Sequence, residues 1–441
     1  MNKNRVVKNA SWIIGIQIVK SLLGLVISML TARFLGPSNF GLINYAASIV
    51  AFVTPIMYLG LNGVLVQEIV NTPEKEGEIL GTSIFMAFIS SILCIGGVIS
   101  FSTIANHGEK DTIIVCALYS ILLIFQSFEM VIYWFQAKLL SKYSSVVSLA
   151  AYILVSGYKI YLLATQKSIY WFAVSNALDY MIIALGATVV YKKLGGRPLR
   201  FNFNTAKHLF SKSRYYIVSN MMIAIFAQTD RIMLKLMIDD AATGYYSAAV
   251  TCAGMTGFVF SAIIDSFRPM IFDDKKNNEK QYEKDMCRLY GIIIYLSLLQ
   301  SLVITLFSGL IIKILYGAAY SASINALKLI VWYTTFSYLG SVRNIWILAE
   351  NKQKYLWIIN LSGALANVAL NYILIPITGI MGAALASLVT QIFTNVIIGF
   401  IIRPIRYSNT LMLRALNPKE MTKAIKALIK RGMAENENNV G

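Results

Sequence analysis

Ten charged side chains interrupt the long apolar runs of this chain: Lys20, Lys159, Arg231, Lys235, Lys328 and Arg343, with Glu129, Asp179, Asp230 and Asp265. Arg33 stands at the end of the first run. At the centre of a lipid-facing helix each such charge would cost about 2.5–3.5 kcal/mol, so the set implies a hydrated interior or dense internal pairing, with some members reaching for the interface. Arg231 and Lys235, four residues apart, share one helix face, whereas Lys328 and Arg343 lie about 60° from each other around a helix. By depth, Lys159, Arg231, Lys235 and Lys328 are expected in the outer half of the membrane, with only Asp230 to offset them. A cationic cavity of low dielectric attracts phosphate or pyrophosphate, because charge-assisted hydrogen bonds strengthen where water is scarce. The expected ligand is therefore an anion, and the candidate binding residues are Arg231, Lys20, Lys159, Lys328, Arg343, Lys235 and Arg33. For Arg231, Lys20, Lys235 and Glu129 the alternative is internal pairing or a reach to the interface. Asp179 is either a proton or ion site or a partner for a lysine, and with Asp230 and Glu129 it forms a group of ion-coupling or charge-pairing candidates.

Catalytic chemistry has little to stand on. The chain contains no GxxxxGK[ST] phosphate loop, no GxGxxG, no HExxH and no metal-ligand cluster, and its two histidines, His107 and His208, fall in expected loops. No cofactor or metal is expected. Uphill transport would have to draw on an ion gradient, the membrane potential or substrate supply. Cys94, Cys116, Cys252 and Cys287 are scattered without a CxxC pair and read as small core residues.

The elements that must position these charges are membrane helices. The 441 residues are 57% hydrophobic and 14% charged, with a mean hydropathy of +0.63, too apolar for a water-soluble fold. The apolar residues come in blocks of about twenty or more, the length a helix needs to cross about 30 Å of hydrocarbon, and not in the alternation of a membrane barrel. Spans are expected near 11-33, 41-66, 81-104, 112-135, 144-164, 169-191, 214-237, 243-267, 288-313, 324-349, 355-375 and 379-402. The first block follows Lys3, Arg5 and Lys8 as a signal peptide would, but it is too long and lacks a small-x-small cleavage site.

Charge sets the expected orientation. The net charge of +18 would suit nucleic acid, yet the 39 basic residues segregate by side: with the N-terminus inside, 29 fall in cytoplasmic segments, 4 in outward loops and 6 within spans. Both termini are therefore expected in the cytoplasm, and topology with anionic lipid, not nucleic acid, accounts for the basic loops. Trp12, Trp134, Trp171, Trp346 and Trp357 fall near expected span ends, as an interfacial belt would; Trp332 does not. The outward loops are too short to hold an external catalytic domain.

The long basic connection divides the chain into an N-terminal six-helix bundle (1-191), a cytoplasmic connection (192-213), a C-terminal six-helix bundle (214-402) and a basic cytoplasmic tail (403-441). At an offset of 212, YWFQAKLLSKY from Tyr133 lies over IWILAENKQKY from Ile345, matching Trp134, Ala137, Lys142 and Tyr143 to Trp346, Ala349, Lys354 and Tyr355. An offset of 203 sets Gly41 over Gly244. These matches point to an internal repeat, with chance and interfacial residue preference as the alternative. In the tail, Asn417, Pro418 and Glu420 form a capping box, and Met421, Ala424, Ile425, Leu428 and Ile429 line one face of an amphipathic helix at about 418-432, suited to lying on membrane lipid.

Several stretches carry a resemblance over nearly the whole chain. TARFLGPSNFGLINYAA (Thr31 to Ala47), YWFQAKLLSKY and TDRIMLKLMIDDAATGYYSAA (Thr229 to Ala249) resemble the polysaccharide transport branch of the multidrug/oligosaccharidyl-lipid/polysaccharide exporter superfamily. Arg33 to Pro37, Phe40-Gly41, Phe135-Gln136, Lys142-Tyr143 and Gly244 to Tyr246 are the most recognisable pieces; Ala137 stands where many relatives carry glycine. The resemblance implies a MATE-like fold, all-α, with about twelve transmembrane helices in two six-helix bundles around a central cavity. It also implies a flippase of the bacterial inner membrane that carries undecaprenyl-pyrophosphate-linked O-antigen or capsule repeats from the inner to the outer leaflet by alternating access. Its expected partners are lipid-linked oligosaccharide and membrane lipids, with polysaccharide polymerase machinery as a further candidate. A multidrug or metabolite antiporter of the same superfamily is the first alternative, although cationic drugs would call for central carboxylates. A polyprenyl-sugar membrane enzyme is the second, disfavoured by the short outer loops.

Overall fold

The apolar blocks become helices because in hydrocarbon every backbone polar group must be satisfied within its own segment. The computed structural model describes residues 3–417, and those residues form helices and their connections with no strand. Among the described residues nine helices are long and apolar enough to cross a membrane, or ten when the pair Asp240–Gly254 and Gly257–Asn277, bent by 44°, counts as one span. Two further features bring the total to the expected twelve. The first helix, Lys3–Met57, is broken at Gly36, whose φ of 72° is open to glycine and costly for other residues, so it is two spans, 3–35 and 37–57. Ser323–Ala349 is also long enough to span, but its polar residues keep it out of the apolar set. Large apolar side chains such as Leu93, Ile104, Leu306 and Ile377 are 70–77% exposed, the surface a bilayer would cover.

Buried apolar side chains fall into three clusters. One lies within the first half, around Tyr45, Leu80, Leu123 and Phe135. Another lies within the second half, around Phe260, Tyr290, Val342 and Trp346. The third joins the halves: Ala32 and Phe40 pack with Leu234, Tyr246, Tyr316 and Tyr320 at the end of the bundle where the connections are short. There the second and eighth spans cross almost backbone to backbone. A methyl group on Gly41 would lie 1.8 Å from the Asp240 carbonyl oxygen, and one on Gly244 would lie 2.0 Å from that of Pro37. Small residues allow this approach, as in other membrane helix pairs. The offset of 203 thus pairs two glycines that touch.

The second repeat signal has an equally direct counterpart. Leu139 and Asn351, 212 residues apart, are both left-handed, with φ of 56° and 54°. Around them the same hydrogen bonds recur: Lys138 N donates to Trp134 O and Glu350 N to Trp346 O, while Leu140 N donates to Phe135 O and Lys352 N to Ile347 O.

Several expectations need correction. The second span stops at Met57, not 66, because Leu59 and Gly60 turn left-handed and the chain continues as a separate helix, Leu65–Asn71. Gly60 is needed there, since the Ser213 carbonyl oxygen sits 2.4 Å from where its side chain would be. Half of the connection 192-213 is helical: the seventh span starts at Phe203, capped by the Asn202 side chain, which accepts from Asn204 N and Thr205 N. His208 therefore lies on a helix, 3.2 Å from Glu68, whose other oxygen accepts from Lys212. Trp134 and Trp346 are buried in their cores and do not form a belt, whereas Trp171 and Trp357 are exposed. Trp332 donates to Thr305. The side chain of Trp12 and the tail helix at 418-432 lie outside the described residues.

Because the neighbour of Gly41 is backbone and cannot yield by a rotamer change, Gly41→Ala should destabilise the protein by about 1–3 kcal/mol. Thermal unfolding of the purified protein in detergent should show a lowered Tm, and an unchanged Tm would refute the tight crossing.

Candidate functional site

An intramembrane charge is informative only once its partner is known, and the expected site residues sort by that criterion. Arg231, on the seventh span, is half-buried; its Nε donates to Ser247 Oγ at 3.1 Å and its Nη1 to Gln228 Oε1 at 3.3 Å, both neutral. Lys20, on the first span, donates to Ser148 Oγ at 2.7 Å and lies 5.4 Å from the centre of the Tyr152 ring. Lys159 donates to Asn176 Oδ1 at 3.1 Å. None of these three forms an ion pair among the described residues. Asp179 lies in Coulomb range of Lys20 and Lys159, and its Oδ1 is buried without a hydrogen bond. Glu129 accepts from Tyr58 at 3.1 Å and also feels Lys20. The first half therefore holds a loose cluster of two cations and two carboxylates bridged by neutral groups.

Four expected anion ligands are placed otherwise. Lys235 is spent on carboxylates: its ammonium lies 2.7 Å from Glu109 and 2.9 Å from Asp240, with 6% of the side chain exposed. Arg343 is 3% exposed and bonds the Thr394 carbonyl and Asn395 Oδ1, where the twelfth span widens into a π-helix over Phe393–Ile397. A π turn releases backbone carbonyls, and the guanidinium satisfies one of them. Arg33 donates to the carbonyls of Leu315 and Ile314, at the end of the ninth span Glu279–Leu315. A cation suits that helix terminus. Lys328 is exposed near the start of Ser323–Ala349.

Asp230, on the seventh span, is an enclosed carboxylate. It is 5% exposed and faces four neutral donors: Asn367 at 3.2 Å and Asn371 at 2.6 Å on one oxygen, and the hydroxyls of Tyr246 and Ser387 on the other. No cation pairs with it among the described residues, and Asn371 Oδ1 beside it is buried with no hydrogen bond. An acceptor-only carboxylate and an unspent carbonyl oxygen together make a hard-oxygen pocket suited to a small cation or a proton. Asn367, Asn371 and Ser387 are not singled out by the sequence, and Tyr246 only as part of a recognisable motif. The legible signal was the pair of asparagines four apart in an apolar helix, which must share a face.

The contacts that join the halves cluster at the short-loop end. Arg33 to Leu315, Tyr320 to the Ala32 carbonyl, Gly41 against Gly244, and Glu109 to Lys235 all lie there. The start of the seventh span makes a separate contact near Leu59, through Ser213. Glu109 lies in a connection outside the spans and is more than half exposed. The hydrogen bond from Lys235 holds its carboxyl below the ordinary glutamate range. A lowered folded value means that the tie is at full strength above the unfolded pKa of about 4.3 and is lost as pH falls through the lowered one. Spin labels at Lys167→Cys and Ser321→Cys, with Cys287 replaced by serine, should therefore report wider separations at the short-loop end in Glu109→Gln at neutral pH, and in the parent on strong acidification. Identical distance distributions would show that Glu109 does not hold the halves.

A family model described as "Polysaccharide biosynthesis protein" matches residues 6–275. The chain is 21% identical over 400 residues to a putative O-antigen transporter of Shigella flexneri, covering 86% of this chain and 94% of that one. It is 22% identical over 394 residues to the capsular polysaccharide biosynthesis protein CapF of Staphylococcus aureus, covering 87% and 96%. Its fold is similar to that of the lipid II flippase MurJ in an inward closed conformation, with a TM-score of 0.69 at 15% identity over 91% of this chain and 90% of that one. It is also similar to an inward-facing MATE transporter of the MOP superfamily, with a TM-score of 0.60 at 13% identity over 90% and 96%. With a MATE-like arrangement of twelve membrane helices and a family match over more than half its length, this chain belongs to the polysaccharide biosynthesis protein family of membrane transporters.

Proposed function

We propose that this protein is a flippase that moves undecaprenyl-pyrophosphate-linked oligosaccharide repeats, of O-antigen or capsular type, between the leaflets of the bacterial cytoplasmic membrane. The observation that carries the cargo is the state of Arg231 and Lys20. Both are cations within spans whose hydrogen bonds go to neutral partners, with Asp179 and Glu129 acting on Lys20 only at longer range, so each retains hydrogen-bonding capacity for a pyrophosphate. Lys159 is a secondary contributor, whereas Lys235 and Arg343 are left out because carboxylates and backbone carbonyls already engage them. The names of the relatives in Shigella flexneri and Staphylococcus aureus support polysaccharide export over drug efflux.

In this reading the basic end and both termini face the cytoplasm, as the 29 to 4 partition of basic residues favours. The arrangement described above, joined at the short-loop end, is then the one that receives cargo from inside. Alternating access would exchange the Gly41–Gly244 and Glu109–Lys235 contacts for contacts at the other end. Asp230 serves as the coupling site, because a carboxylate that binds a cation or a proton only when its cage is assembled links occupancy to conformation. Polysaccharide polymerase machinery would receive the product on the far side.

Arg231→Ala should lower surface polysaccharide about 10- to 100-fold, the worth of one charge-assisted hydrogen bond, while the protein inserts normally. Lipid-linked repeats should then accumulate on the cytoplasmic leaflet; normal surface polysaccharide would remove Arg231 from the site. In proteoliposomes loaded with lipid-linked repeats, Asp230→Asn should abolish stimulation by an imposed sodium or proton gradient. A variant that responds to the gradient as the parent does would exclude Asp230 from coupling.

A further inference from the structure

The linker between the halves does something that its charge alone would not predict: it lies down against the membrane-embedded part of the third span, Glu76–Ala105. Arg200 N donates to the Gly77 carbonyl at 3.2 Å and Asn202 N to Thr82 Oγ1 at 3.1 Å, pinning an extended stretch of backbone along the helix. Gly81 makes this possible, since a methyl group there would lie 2.6 Å from the Arg200 nitrogen and carbonyl oxygen. The pinned segment sets the Phe201 ring 4.7 Å from that of Phe85. Together with Phe88, Phe128 and Ile84 these rings wall an open slot of about 280 Å³, and Arg200 stands at its rim.

Three properties of the slot define what fits. Its walls are apolar and largely aromatic, and Phe85, Phe128 and Phe201 are 37–49% exposed, so a large part of each ring is left uncovered by the protein. From Glu76 to Phe88 the third span rises about 18 Å, which carries the slot from the interface into the hydrocarbon. The Arg200 side chain has no hydrogen bond or ion pair among the described residues, and the sequence from Lys192 to Arg214 contains no acidic residue. An apolar trough with an unspent guanidinium at its polar mouth matches a molecule with one phosphate and one flexible hydrocarbon chain.

We propose that this slot is a binding site for an anionic phospholipid of the leaflet at the basic end, with one acyl chain between Phe85, Phe88 and Phe128 and the phosphate on Arg200. A slot of about 280 Å³ has room for part of one acyl chain. A guanidinium binds a phosphodiester through two parallel N–H donors, which the more strongly hydrated lysine ammonium does not reproduce. The flanking Lys192, Lys193 and Arg197 raise the local concentration of anionic lipid without fixing its position. The lipid would act as a strap, holding the linker, and through it the start of the seventh span that carries Arg231, against the first half. The site does not depend on which cargo the protein moves.

The test is native mass spectrometry of the full chain after delipidation and titration with phosphatidylglycerol or phosphatidylcholine. The parent should retain one phosphatidylglycerol in preference to phosphatidylcholine, and Arg200→Gln should weaken that retention about tenfold or more. Arg200→Lys should restore it only in part, and Lys193→Gln should leave it within about twofold. Phe85→Ala should weaken phosphatidylglycerol retention without altering the dependence on Arg200. Equal retention by parent and Arg200→Gln would overturn the proposal. So would displacement of phosphatidylglycerol by an equimolar polyprenyl phosphate, which would reassign the slot to the isoprenoid carrier.

Discussion

The cost of leaving a charge unpaired in hydrocarbon governs how this molecule is put together. The buried and half-buried cations Lys235, Arg343, Arg231, Lys20 and Lys159 occupy three kinds of environment, each with a different consequence, whereas Lys328 is exposed. Lys235 meets two carboxylates and becomes a tie between the halves. Arg343 meets backbone carbonyl freed by a π turn and becomes part of a core. Arg231, Lys20 and Lys159 donate their hydrogen bonds to hydroxyl and amide groups and form no ion pair among the described residues, with Asp179 acting on Lys20 and Lys159, and Glu129 on Lys20, only at longer range. The last class alone has electrostatic capacity left for a ligand, and that distinction separates structure from function among side chains of the same type.

Asp230 follows the same logic with the opposite sign. Four neutral donors from the eighth, eleventh and twelfth spans converge on this residue of the seventh, so the carboxylate and the packing of those helices depend on one another. A half-satisfied buried network is costly, and the unspent Asn371 carbonyl oxygen marks where this one is incomplete. The neighbouring position, Arg231, points its guanidinium to Ser247 on the eighth span. Two adjacent residues of opposite charge thus face different surroundings because successive helix positions are about 100° apart.

The two halves share more than a helix count. A left-handed residue closes the loop at Leu139 and at Asn351, preceded in each case by a buried tryptophan and followed by the same pattern of backbone hydrogen bonds. Asparagine tolerates that conformation more readily than leucine, so the turn itself, not the residue, is what the halves have in common. The glycines at the second and eighth spans make the contact between the halves as close as backbones allow.

By itself the sequence determined the class and the count: apolar blocks of helical length, interrupted at Gly36-Pro37 and between later blocks, dictate twelve membrane helices because backbone in hydrocarbon has no other way to be satisfied. It also named the charges worth asking about, and the offsets of 203 and 212 located the repeat. What it could not decide was which charge meets which. Lys235 and Arg231 share a helix face and a positive charge, yet their fates differ because Glu109, 126 residues from Lys235, reaches only that one. The boundaries of the second span and of the linker were likewise settled by tertiary contact, since Ser213 against Gly60 and Arg200 against Gly81 are close approaches between segments far apart in the chain. Periodicity records how a helix faces its surroundings, whereas the partner of a buried charge is a property of the packed whole.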